Sequence, residues 1–417
     1  MRTERILIKP AHPDYASVRH ACATSRKVFN SANYYIRQAF FNGEIISWQQ
    51  ADKYIKLHFK THYSAIPNAA SQTIIKTLGK DWKSFFNGLK QWKKQPNLFH
   101  ARPKPPSYGK KLKTYIQPFQ ALRCNEGRIE FPKKLNINPI KVRCCNNQDI
   151  QEKDPNKHII KEIRFVPHGQ SFWLEVVYDE TKVQPDVASN VLLDKSRVIA
   201  IDYGIDNFLT IVSNAVELKP LLVKGKVIKS INQRYNKRKA YYQSQNNTAM
   251  IHKLSVNRFC QLNDFFHKVS HKLLNYCLTN DIGKVIIGKN KGWKQHINIG
   301  KSNNQTFTQI PYNAMTDKLR YKLAVYGIEV VEQEESYTSK SDALALDILP
   351  QYDGQTKYRF KGKRKKRGLY QSSTGKLINA DVNGAMNILR KVIGDGFVRD
   401  LADKGFVFNP INWQVAS

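Results

Sequence analysis

The run Val198-Ile199-Ala200-Ile201-Asp202-Tyr203-Gly204 constrains this chain more than any other stretch. Its apolar residues, mostly β-branched, read as a short buried strand, and the glycine after the aspartate marks the turn that ends it. The carboxylate of Asp202 therefore belongs at a strand end. A second aspartate opens Asp381-Val382-Asn383-Gly384-Ala385-Met386-Asn387-Ile388-Leu389-Arg390-Lys391, in which Ala385, Met386, Ile388 and Leu389 fall at helical spacing. Acids at a strand end and a helix start can converge on hard divalent cations, which take oxygen ligands. Two such cations roughly 3.5–4 Å apart are a recurrent device for cutting phosphodiesters.

The charge of the chain points the same way. Sixty-eight Lys and Arg stand against 33 Asp and Glu, a formal net charge of +35 over 417 residues. The excess is spread along the whole length, which suits a polyanion held through many phosphate contacts. A membrane-surface protein would gather it on one amphipathic helix or tail. No stretch approaches the roughly 20 apolar residues of a membrane span, and Met1-Arg2-Thr3-Glu4-Arg5 leads into a short strand, not an apolar signal core. The six cysteines (Cys22, Cys124, Cys144, Cys145, Cys260 and Cys277) form no Cys-x-x-Cys pair. Their scatter speaks against a zinc finger and for a reduced, cytoplasmic compartment.

Three textures follow one another along the chain. Residues 11 to about 95 carry helical periodicities, first in Val18, Cys22, Val28, Phe29 and Ala32, then in Ile74, Ile75, Leu78, Trp82, Phe85, Phe86 and Leu89. Lys83 and its neighbouring lysines either cover that last helix with a solvated face or line a nucleic acid. Arg102-Pro103-Lys104-Pro105-Pro106-Ser107-Tyr108-Gly109 reads as a linker or a phosphate-tracking loop. From about 113 to 190, short strands such as 129–131, 140–142, 160–166 and 171–178 suggest a small barrel of the oligonucleotide-binding kind. The remainder predicts three hairpin strands, a long helical region over about 229–280, a strand at Lys284-Val285-Ile286-Ile287, a helix near 308–326, a strand at Ile328-Glu329-Val330-Val331 and the helix from Asp381. That order is the ribonuclease-H-like arrangement. The fold class is thus α/β plus β-barrel plus α-helical.

With these residues in view, the chain resembles TnpB, the transposon-encoded RNA-guided nuclease family also called OrfB transposase. Asp202-Tyr203-Gly204-Ile205-Asp206-Asn207 is similar to the family's first RuvC motif, and Asp381-Val382-Asn383-Gly384-Ala385 with Asn387-Ile388-Leu389 to its third. Tyr337-Thr338-Ser339 matches a family signature, and Trp82-Lys83-Ser84-Phe85-Phe86 and the Pro-rich stretch match its recognition and wedge regions. The resemblance implies a wedge barrel over 1–10 and 113–195, a helical recognition domain over 11–112 and a RuvC-like nuclease domain over 196–417. A degenerate zinc-ribbon-like insertion would occupy 338–380.

Two departures stand out. Where typical members carry a glutamate at the end of the strand after the long helix, this chain has Gly288. Where they carry two Cys-x-x-Cys pairs, residues 340–380 contain no cysteine, so no structural zinc is expected. Some relatives carry the glutamate two residues before the aromatic of the Tyr-Thr-Ser turn, which here is Glu335, with Glu334 as second choice. Strand periodicity puts Glu332 and Glu334 on one face and Glu335 on the other, though a bend can aim either.

The resemblance implies cleavage of target double-stranded DNA, directed by a guide RNA from the transposon end and helped by two Mg²⁺ ions held by Asp202, Asp381 and the third acid. Without that acid, the alternative is a nuclease-dead, guide-dependent DNA-binding repressor. The expected nucleic-acid contacts are Lys83, Arg102, Lys104, Arg234, Lys237, Arg238, Lys268, Lys363, Arg364, Lys365 and Arg367. The basic run 357–368 would be either a loose loop or a lid steering single strands to the carboxylates. His267 and His271 read as phosphate or core contacts, and Trp293, beside Lys289, Lys291 and Lys294, as a base-stacking or core residue. The expected setting is the prokaryotic cytoplasm.

Overall fold

Helical periodicity before residue 95 becomes four helices in the computed structural model, which describes residues 2–119, 122–144, 160–179, 192–290, 300–352 and 355–415. The chain divides into two units, Met1–Pro185 and Asp186–Ser417. The first contains β1 (Arg2–Ile8), α1 (Tyr15–Phe41), α2 (Trp48–His58), α3 (Lys60–Tyr63), α4 (Asn68–Lys94), β2 (Tyr115–Pro118), β3 (Arg123–Asn125), β4 (Arg128–Glu130), β5 (Ile140–Lys141), β6 (Ile160–His168) and β7 (Ser171–Tyr178). α1 buries Val18, Cys22, Val28, Phe29, Ala32 and Ile36 against the Ile74, Ile75, Leu78 and Trp82 face of α4. Ser47 starts α2 with a capping box closed by Gln50, satisfying donors that a helix end leaves free.

The strands of this unit divide between two sheets, β1-β7-β6-β2 and β3-β4-β5, which share no hydrogen-bonded strand pair among the described residues. The Pro-rich stretch is not a free linker. Asn30 Nδ2 and Arg26 donate to the carbonyls of Gly109 and Lys110, and Asn33 and Arg37 both donate to that of Pro106. Prolines leave the stretch without helix or strand of its own, and the polar face of α1 takes up its carbonyls instead.

The second unit contains β8 (Val198–Tyr203), β9 (Asn207–Ser213), β10 (Leu221–Lys224), α5 (Lys226–Ser244), α6 (Thr248–Thr279), β11 (Lys284–Gly288), α7 (Lys301–Gln309), α8 (Tyr312–Ala324), β12 (Glu329–Gln333), β13 (Lys363–Lys366), β14 (Leu369–Gln371), β15 (Leu377–Asn379), α9 (Ala380–Ile393), α10 (Phe397–Lys404) and β16 (Ile411–Asn412). The long helical region is therefore two helices, broken at Asn247, whose side chain caps the second. One six-stranded sheet runs β12-β11-β8-β9-β10-β16, with β11 parallel to both β8 and β12, and β8-β9-β10 antiparallel.

Alternation along β8 sorts its two faces. Ile199, Ile201 and Tyr203 pack into the core under α6 and α8, with Phe266, Val269, Met315 and Leu319. Val198 and Ala200 face the other way, onto Ile388 and Leu389 of α9. The same rule applied to β11 puts Val285 and Ile287 under α6 and α8 and Ile286 under α9.

The basic run is not a loose loop: β13, β14 and β15 form an antiparallel meander whose Tyr370 and Ile378 are buried beside Ala380, Val382 and Met386. Two buried acids anchor it. Asp342 accepts from Ser372 Oγ at 2.9 Å, Ser373 N at 2.7 Å and Ala345 N at 3.2 Å. Asp347 accepts from the backbone N–H of Asp342 and of Lys361. Asn383 and Asn387, one turn apart on α9, hold the backbone of Thr338, Ser341 and Ala343.

Candidate active site

Alternation continues past Ala200, so Asp202 also faces α9. Its carboxylate lies over the helix glycine Gly384, where an added Cβ would stand 3.0 Å from Asp202 Oδ2. Across the antiparallel pair it stands opposite Thr210, and directly opposed residues share a face. Thr210 Oγ1 is buried with no hydrogen-bond partner among the described residues, an uncommon state for a hydroxyl. On the other side Ile201 pairs with Ile287, which sets Gly288 next to Asp202 on the same face.

Gly288 gives the third acid its space. A Cβ there would meet Glu335 Oε2 at 2.6 Å and collide with Ile388 of α9. Glu335 follows the end of β12, whose Gln333 pairs with Gly288, and its backbone N–H donates to Asn290 Oδ1 at 3.0 Å. The turn closes as the Thr338 amide and hydroxyl both donate to the Glu335 carbonyl. Its carboxylate thus reaches back over the glycine from the neighbouring strand.

Asp381 enters from the helix. Asn379 caps α9, its Oδ1 accepting from the amides of Asp381 and Val382 at 2.9 and 3.2 Å, and an acid in a first turn suits the helix dipole. Asn207 Nδ2 donates to Asp381 Oδ2 at 2.6 Å, and Lys224 Nζ fixes the amide by donating to Asn207 Oδ1 at 2.8 Å. Arg364 of β13 approaches the other oxygen to 3.9 Å.

The electrostatics follow from three acids sharing one place. Burial first, then Glu335, then Asp381 push Asp202 well above the usual carboxylate range, with Arg364 pulling the other way. Glu335 is pushed up to about 7 by burial and by Glu334, against Lys391. The phenol of Tyr312, which donates to Gly204 O at 3.1 Å behind the Asp202 turn, is raised by burial and then by Asp202. Carboxylates so placed ionise together only when a cation compensates them, and an all-carboxylate donor set suits Mg²⁺ or another hard ion. Among the described residues no three His, Cys, Asp or Glu side chains stand as a formed metal cage.

Glu334 does not join this group. It pairs with Lys391 at 2.7 Å and accepts from the Ser336 amide at 2.6 Å; although burial acts to raise it, these partners hold its pKa below the usual value. Glu332 pairs with Lys289 and Arg320, and Glu329 with Lys284. Of the acid cluster only Glu335 forms no ion pair among the described residues.

The expected nucleic-acid contacts divide. Lys83, Lys104, Arg234, Lys237, Arg238, Lys363 and Lys365 are exposed, and Arg102 is exposed beside the ring of Trp92. Three others are already engaged by acids: Lys268 with Asp264, Arg364 with Asp381, and Arg367 with Asp206. His267 is half-buried, and burial followed by Lys318 and Lys322 pushes its pKa down to about 4. Trp293, Lys291 and Lys294 lie outside the described residues. Sequence reasoning missed Asn207 as a partner of Asp381 and Lys224 as the residue that holds Asn207. The only signal was the position of Asn207, five residues after Asp202 and at the start of the next strand.

Fold and site together define a mixed α/β protein with several sheets and a carboxylate centre at the strand ends of its largest one. Two family models match it, one described as Probable transposase, of the OrfB type, over residues 180–294, and one described as Cas12f1-like, TNB domain, over residues 312–388. The TnpB-like protein ORF457 of Acidianus two-tailed virus is 24% identical over 435 residues, covering 94% of this chain and 87% of that protein. The solved Cas12f1-sgRNA-target DNA complex shares the fold at a TM-score of 0.51 and 14% identity, over 89% of this chain and 81% of that one. These matches support a protein of the TnpB family. No helix among the described residues is long and apolar enough to cross a membrane.

Proposed function

We propose that this protein is an RNA-guided, Mg²⁺-dependent DNA endonuclease. The observation that carries the reading is the position of Glu335, turned over Gly288 to stand with Asp202 and Asp381. In this reading residues 196–417 form a ribonuclease-H-like nuclease domain. The helices of 11–112 and the strands of 1–10 and 113–195, the latter as a wedge barrel, hold the nucleic acid, which is guide RNA from a transposon end paired with target DNA. A chain of net charge +35 suits such a load, and base pairing then supplies the sequence choice.

Asp202, Glu335 and Asp381 would together hold the metal ions. When bound, the ions supply Lewis-acid stabilisation of charge on the entering and leaving oxygens of the phosphodiester. Asn207 keeps one Asp381 oxygen oriented while Lys224 keeps the amide from flipping. Arg364, half exposed beside Asp381, can exchange its carboxylate partner for a DNA phosphate, a group that arginine binds in a bidentate manner.

The test is purification of the full chain expressed with the DNA that flanks its gene. A discrete RNA should co-purify, and matched target DNA should be cut only with Mg²⁺ and only while that RNA is intact. Asp202→Ala and Glu335→Gln should each abolish cutting without releasing the RNA. Unchanged cutting in either variant overturns the assignment of the site. RNA-dependent target binding without any cutting by the wild type would favour a repressor.

A further inference from the structure

Glu335 follows a strand end, and a one-residue slip there would present Glu334 to Asp202 in its place. Something must fix which acid points inward. We propose that Lys391 is the positioning residue for Glu335, with Glu334 serving as its anchor and not as an alternative ligand; this rests on the reading of Glu335 as a cation ligand.

Lys391 lies on α9, the helix that carries Asp381 in its first turn, and its side chain is only 6% exposed. Its ammonium donates to Glu334 Oε2 at 2.7 Å, to Ser336 O at 2.9 Å and to Pro350 O at 3.5 Å. Three donors thereby meet three acceptors, the full capacity of the group. Two of those acceptors belong to the residues on either side of Glu335. Glu334 is held a second time through its other oxygen by the Ser336 amide. With both neighbours tied to α9 by one buried cation, the backbone at Glu335 is fixed, and its side chain stays on the α9 face of the sheet, over Gly288 and beside Ile388. The Asn290 acceptor on the Glu335 amide completes the grip. The arrangement also ties the third acid to the helix of the second, so the two enter the site in a fixed relation.

Charge and position make opposite forecasts for the loss of Lys391, which makes the inference testable. Removing a cation beside a group of acids should, by electrostatics alone, tighten divalent-ion binding. Removing a positioning group should weaken it, by about 10–100-fold if Lys391 acts as outer-shell partners of metal ligands do. The experiment is a Mn²⁺ titration of the full-length protein without nucleic acid, read by electron paramagnetic resonance, for the wild type, Glu335→Gln, Lys391→Met and Lys391→Arg. Weakened Mn²⁺ binding in Lys391→Met, with most of the loss recovered in Lys391→Arg, is the expected result. Equal or tighter binding in Lys391→Met overturns the inference. Should that variant fail to fold, Lys391→Gln carries the same opposed forecasts and decides. Glu335→Gln separates the two levels of argument. If it leaves Mn²⁺ binding unchanged, the reading of Glu335 as a ligand fails. If it weakens binding while Lys391→Met does not, only the positioning role fails.

Discussion

Two groups of acids hang from the same helix, and they are opposite in kind. Asp342 and Asp347 are 0% and 5% exposed, and their oxygens accept hydroxyl and backbone N–H donors from the β-meander and its approach. Asp202 and Glu335 are less buried as residues, yet each faces other carboxylates, and both are pushed toward protonation. Burial acts on both groups, so it is the donors that set them apart. A buried carboxylate ringed by N–H groups is a structural fastener, whereas carboxylates that face each other need a cation. α9 serves both sets, with Asn383 and Asn387 toward the meander and Asp381 and Gly384 toward the site.

The comparison breaks most visibly at Asp202. Asp202→Asn should reduce cutting by more than the roughly 10–100-fold typical of groups that merely orient metal ligands, while thermal stability holds or rises because one repelling charge is gone. A fall in melting temperature with activity retained would make Asp202 a fastener like Asp342. The converse substitution is Asp342→Ala, which orphans several buried donors at about 1–3 kcal/mol each. A loss on the order of 3 kcal/mol lowers the melting temperature by roughly 6–12 °C in a unit of this size. Mn²⁺ binding by the folded protein should be unaffected. If Asp342 and Asp347 are enough to hold the meander, a chelator should leave the wild-type melting temperature unchanged; a chelator-induced drop would point to a structural metal instead.

How much of this was legible in the sequence depends on what each residue answers to. Asp202 and Asp381 could be placed because strand alternation and helix periodicity are local, and the succession of strands and helices along 197–331 followed from the same patterns, whereas β16 and the order of strands within the sheet did not. Glu335 was chosen over Glu334 by resemblance alone. Periodicity separated the two but could not say which face looked at Asp202, since that depends on Lys391, 56 residues further along the sequence than Glu335. The meander escaped notice for another reason. Lys363-Arg364-Lys365-Lys366 has no apolar alternation, all four residues are exposed, and the strand exists because Leu369-Tyr370-Gln371 offers it a partner. Asp342 and Asp347 carry no motif, because any residue with an N–H can serve them.

A smaller effect is expected from the hydrogen-bond relay behind Asp381. Asn207→Ala frees the Asp381 carboxylate to turn toward Arg364, and cutting should fall by about 10–100-fold with RNA retention unchanged. Lys224→Met, one bond further out, should cost less than Asn207→Ala. Equal losses in both would mean that the lysine acts on the site directly and not through the amide.

The smallest effect is on stability as a function of pH, and its sign separates the two acid groups. Glu335 titrates near 7 in the folded protein against 4.5 when unperturbed, so between those values the folded state holds a proton that the unfolded state has released. Stability of the metal-free protein must then fall as pH rises through that window. Below it both states are protonated and the repulsion is absent; above it both are ionised and the loss is complete. Asp202 is shifted in the same direction and adds to the slope. Denaturant midpoints of chelator-treated protein from about pH 4 to about pH 8, wild type against Glu335→Gln, isolate the contribution. The variant should lose less stability across the window, and saturating Mn²⁺ should shrink the wild-type slope, because the ion replaces the proton as the compensating charge. A Glu335→Gln protein that loses as much stability as the wild type would mean that Glu335 is satisfied in the way Asp342 is. The distinction between the two groups would then rest on Asp202 alone.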